Sequence, residues 1–161
     1  MILLDTNVLS EFTRRRPLPQ VIAWHRQHEP LLALPTVALA ELRFGIARLP
    51  EGRRKSSLFR FWTATRDHFL GRIFSFDERA AATYGDLAAA AERAGRPINV
   101  ADGQIAAIAR THTMSVATRD VSDFEVTGIS LVNPWDFIMP EPDPCPGGVI
   151  PPDPGAARFL L

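Results

Sequence analysis

The sequence predicts an α/β fold in which helices cover both faces of a central parallel sheet. Short apolar runs alternate along the chain with longer segments of helical spacing. Each apolar run is followed by a polar or turn-forming residue, where a strand would pass into a loop or a helix. With 161 residues, the chain is long enough for one domain with a complete core.

Five apolar runs are the predicted strands: 1–4, 31–34, 72–76, 114–117 and 129–132. Runs this short and this apolar are typical of strands buried on both faces. Six helices are predicted between them: 6–13, 19–28, 36 to Gly45 or Pro50, about 53–70, 77–94 and 99–112. Asp5, Asp77 and Asn99 are predicted N-caps, Pro17 ends the first helix, and Gly95 stops the long Ala-rich helix.

Composition describes an ordinary water-soluble domain, with 46% apolar and 22% charged residues. Eighteen basic and eighteen acidic residues cancel, so there is no overall basic field to attract nucleic acid. The single Cys145 excludes an internal disulfide and a multi-cysteine zinc site, and it fits a reducing cytoplasm. No apolar stretch approaches the length of a membrane span, and the first apolar run is too short for a signal peptide. We therefore expect a cytoplasmic protein.

The C-terminal end differs from the rest of the chain. Seven of the fourteen prolines lie in 140–154, a composition that forms neither helix nor strand. The sequence therefore predicts a folded domain at 1–138 and an extended or disordered Pro-rich tail at 139–161.

Four carboxylates are the candidate functional residues, because they stand where predicted strands lead into helices or lie on apolar helix faces: Asp5, Glu41, Asp102 and Asp120. Asp123 follows closely. Ligands of parallel sheets bind beyond the carboxyl ends of the strands. Several acids at that edge indicate a divalent-metal site, and hence a hydrolase that acts on phosphodiesters.

Ordinary structural roles remain open for most of these acids. Asp5 can cap the first helix, and Asp102 lies three residues after Asn99, as in a capping box. Asp120 and Asp123 lie in a predicted turn, where Asp is common. Capping alone is a poor explanation for four acids at one edge, because like charges held together strain the fold unless a cation neutralises them.

Glu41 is the acid least easily explained as structural. It lies in the interior of its helix, on a face shared with Val37, Ala38 and Leu42. The arginines of the same helix point to other faces, so Glu41 needs a partner from elsewhere in the fold, or a metal.

Other common chemistries lack their motifs in this sequence. There is no Gly-x-x-x-x-Gly-Lys-Ser/Thr loop, no Gly-x-Gly-x-x-Gly after the first strand and no Gly-x-Ser-x-Gly elbow. Asn7 stands where an aspartyl-phosphate phosphatase needs its second Asp. The histidines do not show metal-ligand spacing.

An ordered set of short motifs resembles one known family, the PIN-domain ribonucleases, and within it the VapC/FitB-like toxins of bacterial toxin–antitoxin pairs. The motifs are Leu4-Asp5-Thr6-Asn7, Ala40-Glu41-Leu42, Gly95-Arg96-Pro97-Ile98 with Ala101-Asp102-Gly103, Thr118-Arg119-Asp120 with Asp123, and Asn133-Pro134-Trp135. One departure is Gly103, which stands where the family usually has Ala.

The resemblance implies a Rossmann-like three-layer α/β/α sandwich and a Mg²⁺- or Mn²⁺-dependent endoribonuclease that cleaves RNA with a metal-activated water. It implies a catalytic set of Asp5, Glu41, Asp102 and Asp120, in which Asp5, Asp102 and Asp120 hold the metal. Asp120 is expected to be nearer to the metal than Asp123, because it comes soon after a strand. The resemblance places Thr6, Asn7 and Asp123 as support residues. It also implies a homodimer and a small cognate antitoxin of the VapB/FitA kind.

Three other functions remain open. A nuclease of the same fold could act on DNA or on structured flaps. The chain could be a weakly active or inactive partner of a DNA-binding antitoxin, or an unrelated metal-binding module. Arg14–Arg16 and Arg53–Lys55 are basic runs that could hold flanking phosphates or simply face solvent.

Overall fold

A five-stranded parallel sheet forms the centre of the computed structural model, which describes residues 1–139. Its strands are β1 (Ile2–Leu4), β2 (Leu32–Pro35), β3 (Ile73–Phe74), β4 (Ser115–Ala117) and β5 (Leu131–Val132). Their order across the sheet is β3-β2-β1-β4-β5, and every neighbouring pair is parallel. The predicted α/β class with a parallel sheet is confirmed. The two edge strands are shorter than predicted, with two residues each.

Seven α-helices connect and cover the strands in this part of the chain: α1 (Thr6–Glu11), α2 (Pro19–His28), α3 (Thr36–Ala47), α4 (Arg53–His68), α5 (Glu78–Arg93), α6 (Val100–Thr111) and α7 (Val121–Glu125). Short 3₁₀ helices lie at Glu29–Leu31 and Pro134–Asp136. Helix α7 was not predicted, because five residues are too few to show a helical period.

Two hydrophobic cores on opposite faces of the sheet make the fold a three-layer sandwich. Successive residues of a strand point to opposite faces. Accordingly Leu3 belongs to one core, with α5, α6 and α7, and Leu4 to the other, with α1, α2 and α3. Both leucines are fully buried. The predicted α/β/α layering is confirmed.

Helix ends follow local chemistry, with one correction. Asp77 accepts a hydrogen bond from the backbone N–H of Ala80, and Asn99 accepts one from Ala101, so both predicted caps are confirmed. Helix α1, however, ends at Glu11 and not at residue 13. The buried Glu11 carboxylate accepts hydrogen bonds from the Leu18 backbone and from Arg14, and these bonds hold the turn that leaves the helix.

The strand order makes a topological switch point at β1 and β4. From β1 the chain adds β2 and then β3 towards one edge of the sheet, and afterwards adds β4 and β5 on the other side of β1. The direction in which strands are added therefore reverses beside β1. In open parallel sheets, ligands bind at such a reversal, beyond the carboxyl ends of the strands. Asp5 follows β1 there, and Thr118 follows β4.

The predicted Pro-rich tail lies outside the described residues, apart from Met139, and the domain boundary at 138/139 stays a prediction. No helix within residues 1–139 is both long and apolar enough to cross a membrane.

Tyr84 of α5 explains the unusual Gly103 of α6. A Cβ atom at Gly103 would lie 2.7 Å from Cε2 of Tyr84 and 3.3 Å from Cγ2 of Ile98. The Tyr84 ring also packs edge-on against Phe76, at 6.0 Å between centroids. The aromatic ring therefore fills the space that an alanine methyl group would need.

We expect Gly103→Ala to lower the free energy of unfolding by about 1 kcal/mol, since overpacking outweighs the better helix propensity of Ala. In a Tyr84→Ala background the same substitution should stabilise the protein, because the clash is gone. Urea unfolding of the four proteins in this double-mutant cycle measures both effects. A stabilising Gly103→Ala in the parent protein would contradict the packing explanation.

Candidate active site

Asp5 is the fixed centre of the site. It follows β1 directly and is only 6% exposed. Its Oδ1 accepts a hydrogen bond from the Thr6 backbone N–H at 2.6 Å. Asp5 therefore caps α1, which confirms one of the two roles predicted from the sequence. Its Oδ2 accepts hydrogen bonds from Asn7 Nδ2 at 2.7 Å and from Thr118 Oγ1 at 2.8 Å. Capping and site formation are thus combined in one carboxylate.

Thr118 ties β1 and β4 together, and sequence reasoning did not select it. The side chain is fully buried. Its hydroxyl donates to Asp5 and accepts from Asn7 Nδ2 at 2.9 Å and from the Asp120 backbone N–H at 3.0 Å. One donor and two acceptor positions are all that a hydroxyl offers. The available signal was a polar residue directly after the apolar strand Ser115–Ala117.

Thr6 and Asn7, which the family resemblance gives as support residues, both make hydrogen bonds to acids of the site. Thr6 Oγ1 donates to Glu41 Oε2 at 2.5 Å, which supplies the partner that Glu41 required. Asn7 Nδ2 reaches Asp120 Oδ2 at 3.3 Å, and its Oδ1 accepts from the Arg119 backbone at 3.3 Å. These two side chains therefore link Asp5 to Glu41 on one side and to Asp120 on the other.

Asp102 is not part of a capping box. Asn99 caps α6 through its own side chain, and no hydrogen bond to the Asp102 carboxylate is present among residues 1–139. The group is half-buried, and its pKa is raised to about 6 by burial and then by the charge of Asp5. Asp123, Glu41 and Asp120 add smaller effects in the same direction. Asp102 therefore faces the other acids without a protein donor.

The pKa of Asp5 is also raised to about 6, chiefly because burial penalises its charged form. Hydrogen bonds from Thr118 and the Thr6 backbone oppose this rise, while the charges of Glu41 and Asp120 add to it. In both groups burial is the largest cause of the raised pKa, and the charges of neighbouring carboxylates add to it. This arrangement is typical of functional sites.

Asp120 and Asp123 flank the site differently. Asp120 stands at the N-cap position of α7, two residues beyond Thr118, although its side chain makes no capping bond. Both acids are exposed. Asp120 is joined to Asp5 through Asn7, whereas Asp123 affects the pKa of Asp102 more strongly than Asp120 does. The structure brings both acids to the cluster.

The donor set fits a hard divalent cation in its chemistry. All of its groups are carboxylate oxygens, which Mg²⁺ and Mn²⁺ prefer. Within residues 1–139, however, no three His, Cys, Asp or Glu side chains lie in an arrangement that would hold a metal ion directly. The acids therefore suit an ion that keeps several of its waters, as Mg²⁺ commonly does.

Arg119 is the basic residue closest to the acids along the chain, and it was missed by the sequence analysis. Its Nε lies 3.4 Å from Asp120 Oδ1, and its guanidinium packs 5.7 Å from the ring centroid of Trp135. The basic runs singled out from the sequence are used elsewhere in part, since Arg14 pairs with Glu11 and Lys55 with Glu51.

The comparison with known families agrees with this fold. A family model described as PIN domain matches residues 2–128, well over half of the chain. The chain belongs to the PIN-domain family. The resemblance drawn from the sequence motifs is thereby confirmed.

Individual PIN-domain relatives are similar over nearly their whole length. The chain is 43% identical over 138 residues to VapC ribonuclease Y4jK of Sinorhizobium fredii, covering 84% of this chain and 99% of the relative. It is 41% identical over 140 residues to toxin FitB of Neisseria gonorrhoeae, with the same coverage. Among solved structures, a chain of FitAB bound to an IR36 DNA fragment gives a TM-score of 0.80 at 40% identity, covering 86% of this chain and 99% of that one.

Asp102→Asn should stabilise the metal-free PIN domain at pH 7.5 by on the order of 1 kcal/mol. The full rise in the pKa of Asp102 would correspond to a larger gain in the free energy of unfolding, but solvent screens the charge of a half-buried group. A carboxyl whose pKa is raised in the folded state binds its proton more tightly there, so stability falls as pH rises from about 4 to about 6. The gain should therefore vanish at pH 4.

Urea unfolding in EDTA at both pH values measures this difference. Asp86→Asn is the matched control, because Asp86 is an exposed residue of α5. Equal effects of Asp102→Asn at pH 4 and pH 7.5 would contradict a raised pKa at Asp102.

Proposed function

We propose that this protein is a Mg²⁺- or Mn²⁺-dependent endoribonuclease and the toxin of a toxin–antitoxin pair. The observation that carries the proposal is the buried Asp5 carboxylate, fixed by three hydrogen bonds and close enough to Glu41, Asp102 and Asp120 for their charges to interact. The names of its relatives, a VapC ribonuclease and the toxin FitB, support it.

Asp5, Asp102 and Asp120 are the residues that would hold the cation, partly through water. When bound, the cation polarises the scissile phosphate and lowers the pKa of a water molecule. Thr118 and Asn7 orient the Asp5 carboxylate by occupying its Oδ2, while Asp102 keeps both of its oxygens available. The cluster thus combines one rigid acid with more accessible ones.

Glu41 would move a proton in this mechanism. Thr6 donates to Oε2 of Glu41 and fixes its orientation, which leaves Oε1 free to accept a proton from the attacking water. Arg119, beside Asp120, is placed to contact a phosphate of the bound strand.

A cognate antitoxin of the VapB/FitA kind would occupy the same acidic cluster. Acids with raised pKa values gain from a nearby cation, so a basic side chain of the partner would be stabilised there. The solved FitAB complex supports such a partner. We further propose a homodimer acting in the cytoplasm.

A second candidate function is supported by the same complex, because that FitAB structure is bound to a DNA fragment. In this alternative the chain acts mainly as a partner of a DNA-binding antitoxin and cleaves weakly or not at all. A DNA or flap nuclease is the other alternative, since four carboxylates do not distinguish RNA from DNA.

Purified protein should cut a mixed pool of tRNA and rRNA at discrete sites when Mg²⁺ or Mn²⁺ is present, and EDTA should abolish the cuts. Asp5→Ala and Asp102→Asn should reduce the cleavage rate at least a hundredfold, whereas Asp86→Asn should leave it unchanged. Circular dichroism checks that each variant is folded.

Three outcomes would contradict the proposal. Metal-dependent cleavage that persists in both Asp variants would contradict the site assignment. Cleavage of DNA oligonucleotides but not of the matching RNA would favour the DNA-nuclease alternative, and the absence of any cleavage would favour the partner role.

A further inference from the structure

An open groove between α3 and α6 begins at the acidic site and is not used by the proposed mechanism. Glu41 forms part of its wall, so the groove is continuous with the catalytic cluster. Val37, Ala40 and Val100 make its sides largely apolar. This largely apolar lining suits a flat ring better than a solvated phosphate, because it offers little to a charge.

Phe44 is an exposed aromatic ring in this groove. It is 63% exposed, which is unusual for a Phe side chain of a folded domain. The Arg48 guanidinium lies 5.5 Å from its ring centroid. Phe44 follows Glu41 by one helical turn, so the two side chains start roughly 5–6 Å apart, close enough to contact one nucleotide together.

Gln104 supplies an amide in the same groove that no described residue pairs with. It is half-buried, and within residues 1–139 its side chain makes no hydrogen bond. Every fully buried side-chain polar atom in this part of the chain has a hydrogen-bond partner. The Gln104 amide, which has none, is therefore not fully buried, and a ligand can reach it. An amide offers both a donor and an acceptor, the combination needed to read the edge of a base.

We propose that the groove between α3 and α6 binds an unpaired nucleobase next to the scissile phosphate, with Phe44 stacking on the base and Gln104 reading its edge. This inference rests on the proposed function. Single-stranded RNA is recognised in this way, by stacking on aromatic rings and by hydrogen bonds to base edges. A purely apolar partner would cover Gln104 without pairing it, which costs free energy.

Three substitutions at Phe44 separate stacking from simple apolar contact. Phe44→Ala and Phe44→Leu should each raise KM for a short single-stranded oligoribonucleotide roughly tenfold with little change in kcat. Phe44→Trp should stay within about threefold of the parent. Leu70→Ala is the control, because Leu70 is 71% exposed and far from the acids. It precedes β3 and so lies at the amino ends of the strands, whereas the acids lie beyond the carboxyl ends.

A cycle with an abasic nucleotide tests the contact itself. In an Asp102→Asn background, which prevents cleavage, fluorescence anisotropy gives the affinity for RNA with an abasic residue scanned across the mapped cleavage site. At one position the abasic residue should lower the affinity of the Asp102→Asn protein for RNA roughly tenfold. The same abasic residue should lower the affinity of the Asp102→Asn protein that also carries Phe44→Ala no more than twofold. Gln104→Ala should weaken the preference among bases at that same position.

The possible failures can be told apart. If the parent protein neither binds nor cuts RNA, the proposed function itself fails. If it cuts RNA but Phe44→Leu equals the parent, or the abasic penalty is the same with and without Phe44, the base subsite is wrong and the proposed function stands. A change in oligomer mass caused by Phe44→Ala, measured by light scattering, would overturn the subsite in favour of a contact between protein chains.

Discussion

The burial of the Asp5 carboxylate is the constraint on which the site depends. A charged group that is 6% exposed is costly unless its oxygens are satisfied. Here Thr6, Asn7 and Thr118 satisfy them, and these bonds join the end of β1 to the end of β4. The same bonds fix the carboxyl ends of these two strands at the reversal of the sheet. The position of one acid is therefore set by the core strands themselves.

The remaining acids make this arrangement unfavourable without a cation. Asp102 has no protein donor within residues 1–139, and its pKa rises because of burial and the charges around it. Such a cluster stores free energy that a bound cation, or a basic side chain of a partner, can release. In the proposed function, stability of the free protein would thereby be exchanged for binding at the site, as is common in functional sites.

Local sequence signals predicted much of the fold and the acids of the site, but not all of the hydrogen bonds that join those acids. Alternating apolar and helical segments gave the parallel sheet, and Asp77 and Asn99 were recognisable caps. Thr118 was not recognisable, since its partners at Asp5 and Asn7 lie more than a hundred positions away in sequence. Asp102 fitted a capping box equally well by spacing alone, and only the folded arrangement shows that its carboxylate is not used that way. Helix α7 is held by its position after β4 and not by any periodic pattern.

The most direct test of this account is a carboxyl titration of the metal-free protein by ¹³C NMR, with Asp5 and Asp102 assigned through their Asn variants. Both groups are expected to titrate near pH 6. Saturating Mg²⁺ should lower both pKa values, because the cation favours the charged forms. Asp5 and Asp102 that titrate at ordinary carboxyl values and do not respond to Mg²⁺ would contradict a buried acid cluster built to receive a cation.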